Sequence, residues 1–247
     1  MKFSFVVLTW NRYKFLEKCL EELTNSLANP IQCEIIVMDN GSTDKTGEVL
    51  DRYKANKLIR IIRRKKNYGL SSYKKLFGYA RGEYIVVVDD DVLAFPKNMD
   101  STFADYMQTF SNYGFVALNV IQDEFTNGAK PPAEHYTEET IDGKTIQHGP
   151  TGGWCTCFRK KQYRKLWWKF MFADINMKTG EDGFLATAFR EKLGLKSGII
   201  KNAVCFHASG PYYARQYGHL DREIEKYAQA GLHDFVETYQ KYQEGDI

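Results

Sequence analysis

The chain has 247 residues, of which 43% are apolar and 26% charged. That is the balance of an ordinary soluble globular protein, with length enough for one large domain or two small ones; it excludes a disordered chain, a collagen-like chain and a small disulfide scaffold. Lys plus Arg number 34 against 31 Asp plus Glu, a net charge of +3, which is too even for a dedicated nucleic-acid binder, so no nucleic-acid partner is expected.

In chain order, residues 3–9 form a continuous apolar run, as in a parallel strand covered on both faces. No signal peptide is read there, because the run is short and lacks a basic region and a cleavage site. Leu16, Leu20, Leu23 and Leu27 follow at helical spacing. Residues 33–38 make a second buried strand that stops at Asp39-Asn40-Gly41, a turn signal. Ser42, Thr43 and Asp44 are N-cap types for a helix to about residue 54. Residues 58–62 are a third strand, residues 70–80 a helix, and residues 84–88 a fourth strand ending in Asp89-Asp90-Asp91. Strand and helix thus alternate four times, the pattern of a parallel sheet with helical crossovers.

The second half is less regular. Residues 95–110 are expected to be helical and 113–120 a strand. Residues 121–150 carry little periodicity and read as a loop region or hairpin. Gly152-Gly153-Trp154 opens a strand to Phe158, Gly180-Glu181-Asp182-Gly183 precedes an amphipathic helix, and residues 201–207 are a strand ending in His207. From about Leu220 the chain reads as helix, broken at Gly231. The five cysteines form no CxxC pair and are read as buried free thiols of a reducing compartment. No stretch reaches the roughly 18–20 apolar residues of a membrane span. A cytoplasmic location is therefore expected. The segment Lys165-Leu166-Trp167-Trp168-Lys169-Phe170-Met171-Phe172 is both aromatic and basic. It could meet a membrane interface, pack over the sheet or line a cleft; packing or cleft is the reading taken, with weak peripheral membrane contact as the other.

Three polar loops follow three strands: Thr9-Trp10-Asn11, Asp39-Asn40-Gly41-Ser42 and Asp89-Asp90-Asp91. Open α/β sheets bind ligands at the carboxyl ends of their strands, so these loops converge on one edge. Three adjacent aspartates repel one another unless a cation is present. On an extended strand Asp89 and Asp91 point one way and Asp90 the other, and two hard oxygens on one side suit Mg²⁺ or Mn²⁺. An acidic turn is the competing reading. Asp39 to Asp44 fails as a calcium loop, since glycine is missing at the sixth position and Leu50 stands where a bidentate Glu belongs. It remains either a polar ligand site or plain turn chemistry. Glu181 and Asp182 at a helix start suit the helix dipole and equally suit a general base. His207 at a strand end is either structural or a third metal ligand.

TWNR at 9–12, DNGSTD at 39–44, NYG at 67–69 with ARGEYIVVVDDD at 80–91, GGW at 152–154, GEDG at 180–183 and His207 stand in the order of the family 2 glycosyltransferases with the GT-A fold, which the chain resembles from about residue 3 to 208. The resemblance implies an α/β fold with a mixed, mainly parallel sheet flanked by helices and a Rossmann-like nucleotide-binding half. It implies a metal-dependent, inverting transfer of a hexosyl or N-acetylhexosaminyl unit from a nucleotide-diphosphate sugar, with Mn²⁺ or Mg²⁺ as cofactor. Thr9, Asn11, Asp39, Asn40, Ser42, Asn67, Gly69, Lys74, Asp89 and Asp90 would bind the nucleotide sugar, with Asp39 at the base. Asp91 and His207 would hold the metal. Asp182 would be the catalytic base, and Gly152, Gly153, Trp154 and Glu181 would line the sugar and acceptor.

The chain departs from the family pattern in two places. Ser72-Tyr73-Lys74 replaces an Ala-Arg-Asn triplet, leaving Lys74 either on the diphosphate or solvated. The processive synthases' Q-x-x-R-W and membrane spans are absent, with Arg215-Gln216-Tyr217 nearest, so transfer of a single sugar is inferred; Arg215 either reaches the diphosphate from a loop or is a surface residue, and the surface reading is taken. UDP is the favoured nucleotide on family frequency alone. The acceptor, whether glycan, lipid-linked or protein, and the oligomeric state are not readable. The expected organisation is one domain over 1–210, with residues 1–92 for the nucleotide and 93–210 for the acceptor, and a helical tail over 211–247 packed on it. A catalytically inactive module that binds sugar nucleotide or glycan is the alternative.

Overall fold

Residues 3–9 alternate between two apolar surroundings. Phe3, Phe5 and Val7 enter one core and Val6 the other. A strand buried on both sides has no polar face to show, which is why its sequence reads as an unbroken apolar run. A computed structural model of the chain describes residues 1–126 and 130–245. In it the first four strands are β1 (Phe3–Thr9), β2 (Cys33–Asp39), β3 (Ile59–Arg63) and β4 (Tyr84–Asp89), all parallel where they pair. They lie in the order β3-β2-β1-β4. The register sets Thr9 level with Asp39 and Leu8 level with Asp89, so the polar loops after β1, β2 and β4 leave the sheet side by side.

The sheet continues with β9 (Cys155–Arg159), antiparallel to both β4 and β6 (Tyr113–Val120). Beyond β6 come β10 (Lys196–His207), then β8 (Lys144–His148) and β7 (Thr137–Ile141). A short strand, β5 (Val92–Ala94), pairs antiparallel with the end of β10. The described strands make one mixed sheet of ten, parallel in its first half.

Helices cover both faces. On one lie α1 (Tyr13–Asn25), α2 (Thr46–Arg52) and α4 (Met99–Thr109), burying Leu16, Leu20, Leu50 and Phe103 against the strands. On the other lie α3 (Ser72–Tyr79), α5 (Lys160–Phe172) and α6 (Glu181–Leu193). Phe77 of α3 is the centre of that second layer, with Phe158, Tyr163 and Phe170 rings at 5.4–5.5 Å. Removing a buried ring of this kind typically costs about 3–5 kcal/mol. The tail folds as α7 (Pro211–Gln216), α8 (Leu220–Gln229) and α9 (His233–Glu244), with Gly231 at φ +67° breaking α8 from α9. It lies against α1, where Tyr217 stacks on Phe15 at 4.4 Å.

Several expectations are adjusted. β10 begins five residues before the expected Lys201, because Ser197, Gly198 and Ile199 continue the pairing with β6. Residues 95–98 are outside α4, which starts after Asn98 in a left-handed conformation (φ 59°). The 121–150 segment holds a tight hairpin over residues 137–148; residues 127–129 lie outside the described residues. Asp142 and Gly143 both have positive φ, 49° and 73°, the I′-type turn whose twist matches paired strands. The α2 start is served by Asp44, whose carboxylate accepts the Thr46 amide at 2.9 Å. The aromatic segment becomes the C-terminal part of α5, and packing accounts for only two of its six apolar side chains. Leu166 and Phe170 are buried, whereas Trp167, Trp168, Met171 and Phe172 are exposed. All five cysteines are free and buried, as read. No described helix is long and apolar enough to cross a membrane.

Candidate active site

The carboxyl ends of β1 and β4, the turn after β4, the start of α6, the end of β10 and one side of α8 surround a cleft of about 580 Å³. The chain does not run straight through the three aspartates. β4 stops at Asp89, residues 90 and 91 turn, and β5 runs on from Val92. The alternation expected of an extended strand therefore ends at Asp89, and Asp90 is not turned away: all three aspartates line the cleft. Asp91 and Asp89 do share one neighbour, His207, whose Nε2 is 3.1 Å from Asp91 and 3.7 Å from Asp89. β5–β10 pairing sets this up, opposing Val92 to His207, while the Ala208 amide donates to the Asp91 carbonyl at 2.9 Å.

Arg12 occupies the space between the first loop and the turn. Its guanidinium donates to Asp90 at 2.7 Å and to Asp91 at 2.6 Å. Burial opposes its charge, but Asp90, Asp91 and Glu223 outweigh that and hold it firmly protonated. The three carboxyls consequently differ. Burial disfavours an ionised Asp91, yet Arg12 and His207 keep it below the ordinary carboxylate range. Burial, with Asp91, Asp182 and Asp90 nearby, pushes Asp89 up to about 7 against the pull of His207. Burial also raises Asp90, in spite of Arg12.

Asp89, Asp91 and His207 each offer one atom within 4.8 Å of the others, a set that could hold a metal ion. Two carboxylate oxygens and one imidazole nitrogen suit Mn²⁺ or Mg²⁺, with room left for water and phosphate oxygens. The charge distribution fits as well: Asp89 is driven toward its neutral form by burial and by three neighbouring carboxyls, and a cation would relieve that. Asp90 Oδ2, buried beside them, has no hydrogen-bond partner among the described residues.

Across the cleft, Asp182 stands in the first turn of α6. Its two carboxylate oxygens accept the Gly153 amide at 2.8 Å and the Gly183 amide at 2.7 Å, which fixes its orientation. The glycines of GGW and GEDG are explained by crowding. A Cβ on Gly180, which has φ +60°, would come 2.3 Å from an Asp182 oxygen, and one on Gly152 would come 2.5 Å from the Trp154 ring. Glu181 is buried, and that burial, with Asp182 and Asp89 near, raises its carboxyl well above the usual range. It lines the cleft beside Asp182. Gly153 lines the cleft, whereas Gly152 and Trp154 do not. Trp154 is buried behind His207, its indole N–H donating to the Leu118 carbonyl at 2.9 Å.

The nucleotide-side residues divide in two. Thr9, Asn40, Asn67 and Gly69 line the cleft. Asn40 joins the loops: its amide donates to Asn67 at 2.7 Å and its oxygen accepts Ser72 Oγ at 2.7 Å. Asn11, Asp39 and Ser42 do not line the cleft and instead form the layer that shapes the loop. Asp39 accepts the Ser42 amide at 2.9 Å, Ser42 Oγ accepts the Asn11 amide at 2.9 Å, and Asn11 Oδ1 accepts the Thr43 amide at 2.7 Å. Gly41 between them has φ +81°, and a Cβ there would overlap the Lys66 backbone at 2.5 Å. Lys74 is turned to the Ala173 carbonyl at 2.6 Å and does not reach the cleft. Arg215 is exposed, as read.

Residue types alone did not single out Arg12, Tyr73, Arg222, Lys226 and Tyr227, all of which line the cleft. Arg12 had a usable signal, being a cation directly after the first strand of a chain with three aspartates after its fourth. Arg222 and Lys226 are one helical turn apart on α8, and only the fold brings them over. Glu223 holds both, with Arg222 at 2.6 Å and Lys226 in closer contact, and Arg222 Nε donates to the Trp10 carbonyl at 2.9 Å.

The description "Glycosyl transferase family 2" matches residues 4–177. The chain belongs to that family. As a family 2 member it is similar to the glycosyltransferase GlyG of Streptococcus pneumoniae, 33% identical over 107 residues, which is 42% of this chain and 35% of GlyG. It is also similar to the dolichol-phosphate mannosyltransferase of Pyrococcus furiosus, 34% identical over 93 residues, 37% of this chain and 26% of that one. The matches thus span 35% and 26% of the length of these relatives. The fold is GT-A. The mannosyltransferase of Pyrobaculum calidifontis, solved with GDP-Man and Mn²⁺, superposes with a TM-score of 0.65 at 17% identity, covering 97% of this chain and 73% of that one. Staphylococcus aureus TarS with UDP-GlcNAc gives 0.64 at 15%, covering 92% and 66%. Asp182, His207 and α8 lie beyond the matched residues 4–177, so the family match does not speak to them.

Proposed function

We propose that the protein is a metal-dependent, inverting glycosyltransferase that moves a single sugar from a UDP-sugar to an acceptor hydroxyl. The observation that carries this reading is that the Asp89–Asp91–His207 cluster and the amide-oriented carboxylate of Asp182 face one cleft at the carboxyl ends of parallel strands. The complexes of similar proteins, with GDP-Man and Mn²⁺ in one and UDP-GlcNAc in the other, support a nucleotide-sugar donor.

In this reading the loop that Asp39 shapes takes the nucleotide base, and Thr9, Asn40, Asn67 and Gly69 form the wall beside it. Asp91 and His207 would hold the divalent ion, with Asp89 beside the donor sugar; such an ion would supply Lewis-acid stabilisation of the charge on the departing diphosphate. Arg12 keeps Asp91 ionised and in place. Arg222 and Lys226 present positive charge to the same space from α8. Asp182 takes the proton of the acceptor hydroxyl as that oxygen attacks the anomeric carbon, and the bond to the diphosphate breaks on the opposite side. A positioned base is typically worth about 10²–10⁴ in rate. Glu181, its carboxyl raised by burial, lines the same space beside Asp182, within reach of a sugar or acceptor oxygen.

The test is a thermal-shift and calorimetric panel of UDP, GDP, TDP and their common sugars with and without Mn²⁺. UDP stabilising the protein only with metal, and failing to do so in Asp91→Ala, supports the reading. Stabilisation by GDP alone would overturn the donor assignment, and none by any nucleotide would overturn the function. Turnover of the matching sugar nucleotide that is lost in Asp182→Asn separates an enzyme from a binding module.

A further inference from the structure

The outward face of α5 combines two features that rarely share a helix. Lys161, Arg164 and Lys165 are exposed on its first two turns, and Trp168 and Phe172 continue the same strip on the last two. Trp168 is 53% exposed and Phe172 87%, with Trp167 at 50% beside them. Scattered single apolar residues at a surface need no explanation, but three large rings on two turns form a contiguous patch. The helix carries no acidic residue, and none of Lys161, Arg164, Lys165 and Lys169 has a carboxylate partner among the described residues. Lys169 lies instead over the Trp168 ring at 4.9 Å.

From this arrangement we infer that α5 is a docking face for an anionic lipid surface. Indole and phenyl rings settle at the headgroup level of a bilayer, and unpaired cations beside them meet the phosphates of acidic lipids. Long lysine stems lie along the apolar surface while their ammonium groups reach the headgroups. The inner face of α5 is already spent on the core through Tyr163, Leu166 and Phe170, so only the outer strip is available for this contact.

The position of the strip gives the contact a use. Phe172 ends α5, and Ile175, Asn176 and Met177, a few residues on, line the cleft. The junction is fixed, since Lys74 Nζ donates to the Ala173 carbonyl at 2.6 Å. Beside the strip, between α5 and α6, runs a groove of about 410 Å³ bordered by Lys169, Thr179, Phe184, Glu191 and Lys192 that reaches Gly183, the neighbour of Asp182. A lipid surface on α5 would therefore lie at the mouth of the cleft, and an acceptor hydroxyl carried on a lipid would arrive beside Asp182. This last step rests on the glycosyl-transfer reading; the docking does not.

Flotation of the whole chain with phosphatidylcholine vesicles, with and without phosphatidylglycerol, tests it without turnover. Binding is expected to vesicles containing phosphatidylglycerol and to weaken as salt is raised. The pairs Trp168→Ala with Phe172→Ala, and Lys161→Glu with Lys165→Glu, are each expected to lower the partition coefficient at least about tenfold. These side chains are exposed, so the variants keep the fold, which a thermal melt confirms. A folded protein that ignores anionic vesicles overturns the inference. So does binding that the variants leave unchanged, or a dimer by sedimentation equilibrium that Phe172→Ala dissociates. Because nucleotide binding is read separately, loss of one reading leaves the other standing.

Discussion

Glu223 of α8 stands 3.4 Å from Arg12 of the first loop, both all but excluded from solvent. With Arg222 and Lys226 on the same carboxylate, it holds three cations of the cleft wall together. Those cations, added to by its hydrogen bond from Lys226, outweigh the burial that disfavours its charge and hold Glu223 well below the usual carboxylate range. Breaking a buried pair by removing one partner strands the remaining charges. Glu223→Ala is expected to lower stability by about 3–5 kcal/mol in urea unfolding. A loss within the ordinary range of a surface substitution would show that the network carries no weight.

Asp182 is expected to separate binding from chemistry. Asp182→Asn keeps an oxygen for one amide and loses the base, so kcat should fall about 10²–10⁴-fold while UDP affinity stays within a few-fold. Gly180→Ala reaches the same carboxylate by crowding, because the added carbon would overlap the Asp182 oxygen and the residue would be strained at φ +60°. It should resemble Asp182→Asn in steady-state kinetics. Full activity in Gly180→Ala would mean that the observed Asp182 orientation is not the working one.

His207 and Asp91 should govern metal affinity. His207→Ala is expected to weaken Mn²⁺ binding, read by calorimetry, at least about tenfold, the lower end of what even an outer partner of a metal ligand costs. In the intact protein, chelation should abolish the thermal stabilisation given by UDP. Stabilisation that survives the chelator would remove the metal from donor binding.

His219 should weaken folding in mild acid, in opposition to Asp89, Asp90 and Glu181, whose raised carboxyls favour folding as pH falls. Burial, with Arg12 and Arg222 adding to it, holds this imidazole down to about 4 in the folded chain, against 6.5 when unfolded. Above pH 6.5 it is neutral in both states and contributes nothing to the pH dependence. Between 6.5 and about 4 the unfolded chain takes up a proton that the folded one does not, so folding weakens as pH falls, by up to about 3 kcal/mol. Urea unfolding of the protein and of His219→Phe, which keeps a ring against Phe15, at about pH 7.5 and about pH 4.5 isolates this part: the variant should lose less, or gain more, stability on acidification than the unaltered chain, and equal changes in the two would remove His219 from the pH dependence.

The parallel half of the fold was legible because its strands are buried on both faces and its turns carry Gly, Asn and Asp in the places a turn needs them. The cluster of Asp89, Asp91 and His207 was legible from the same logic of strand ends. The turn at residues 90–91 was not, since one more polar residue after a strand looks the same whether the chain continues or reverses. Asp142-Gly143 was a hairpin signal that the charged, aperiodic strands around it obscured. α5 was opaque as a helix because its exposed face is as aromatic as its buried one, which erases the amphipathic contrast. Arg222 and Lys226 could not be found by spacing, because their place at the cleft depends on how the tail returns past Trp10.

The pairing of β5 with β10 carries a bulge, at which Leu93 is the unmatched residue between the Ala94–Phe206 and Val92–His207 pairs. Bulges redirect a side chain by offsetting two strands by one position. Here the extra residue lies on β5, so the offset decides the face from which the chain enters β5 after Asp91, while β10 keeps its own alternation. Deleting Leu93 would leave a regular ladder with Val92 still opposite His207 and, by the two-residue period of a strand, turn Val92 and the Asp91 before it to the other face while the imidazole stayed in place. Residues 91 and 207, distant in the chain, are thus set by a local count of residues, and an insertion or deletion there would act on the site as severely as replacing one of its ligands.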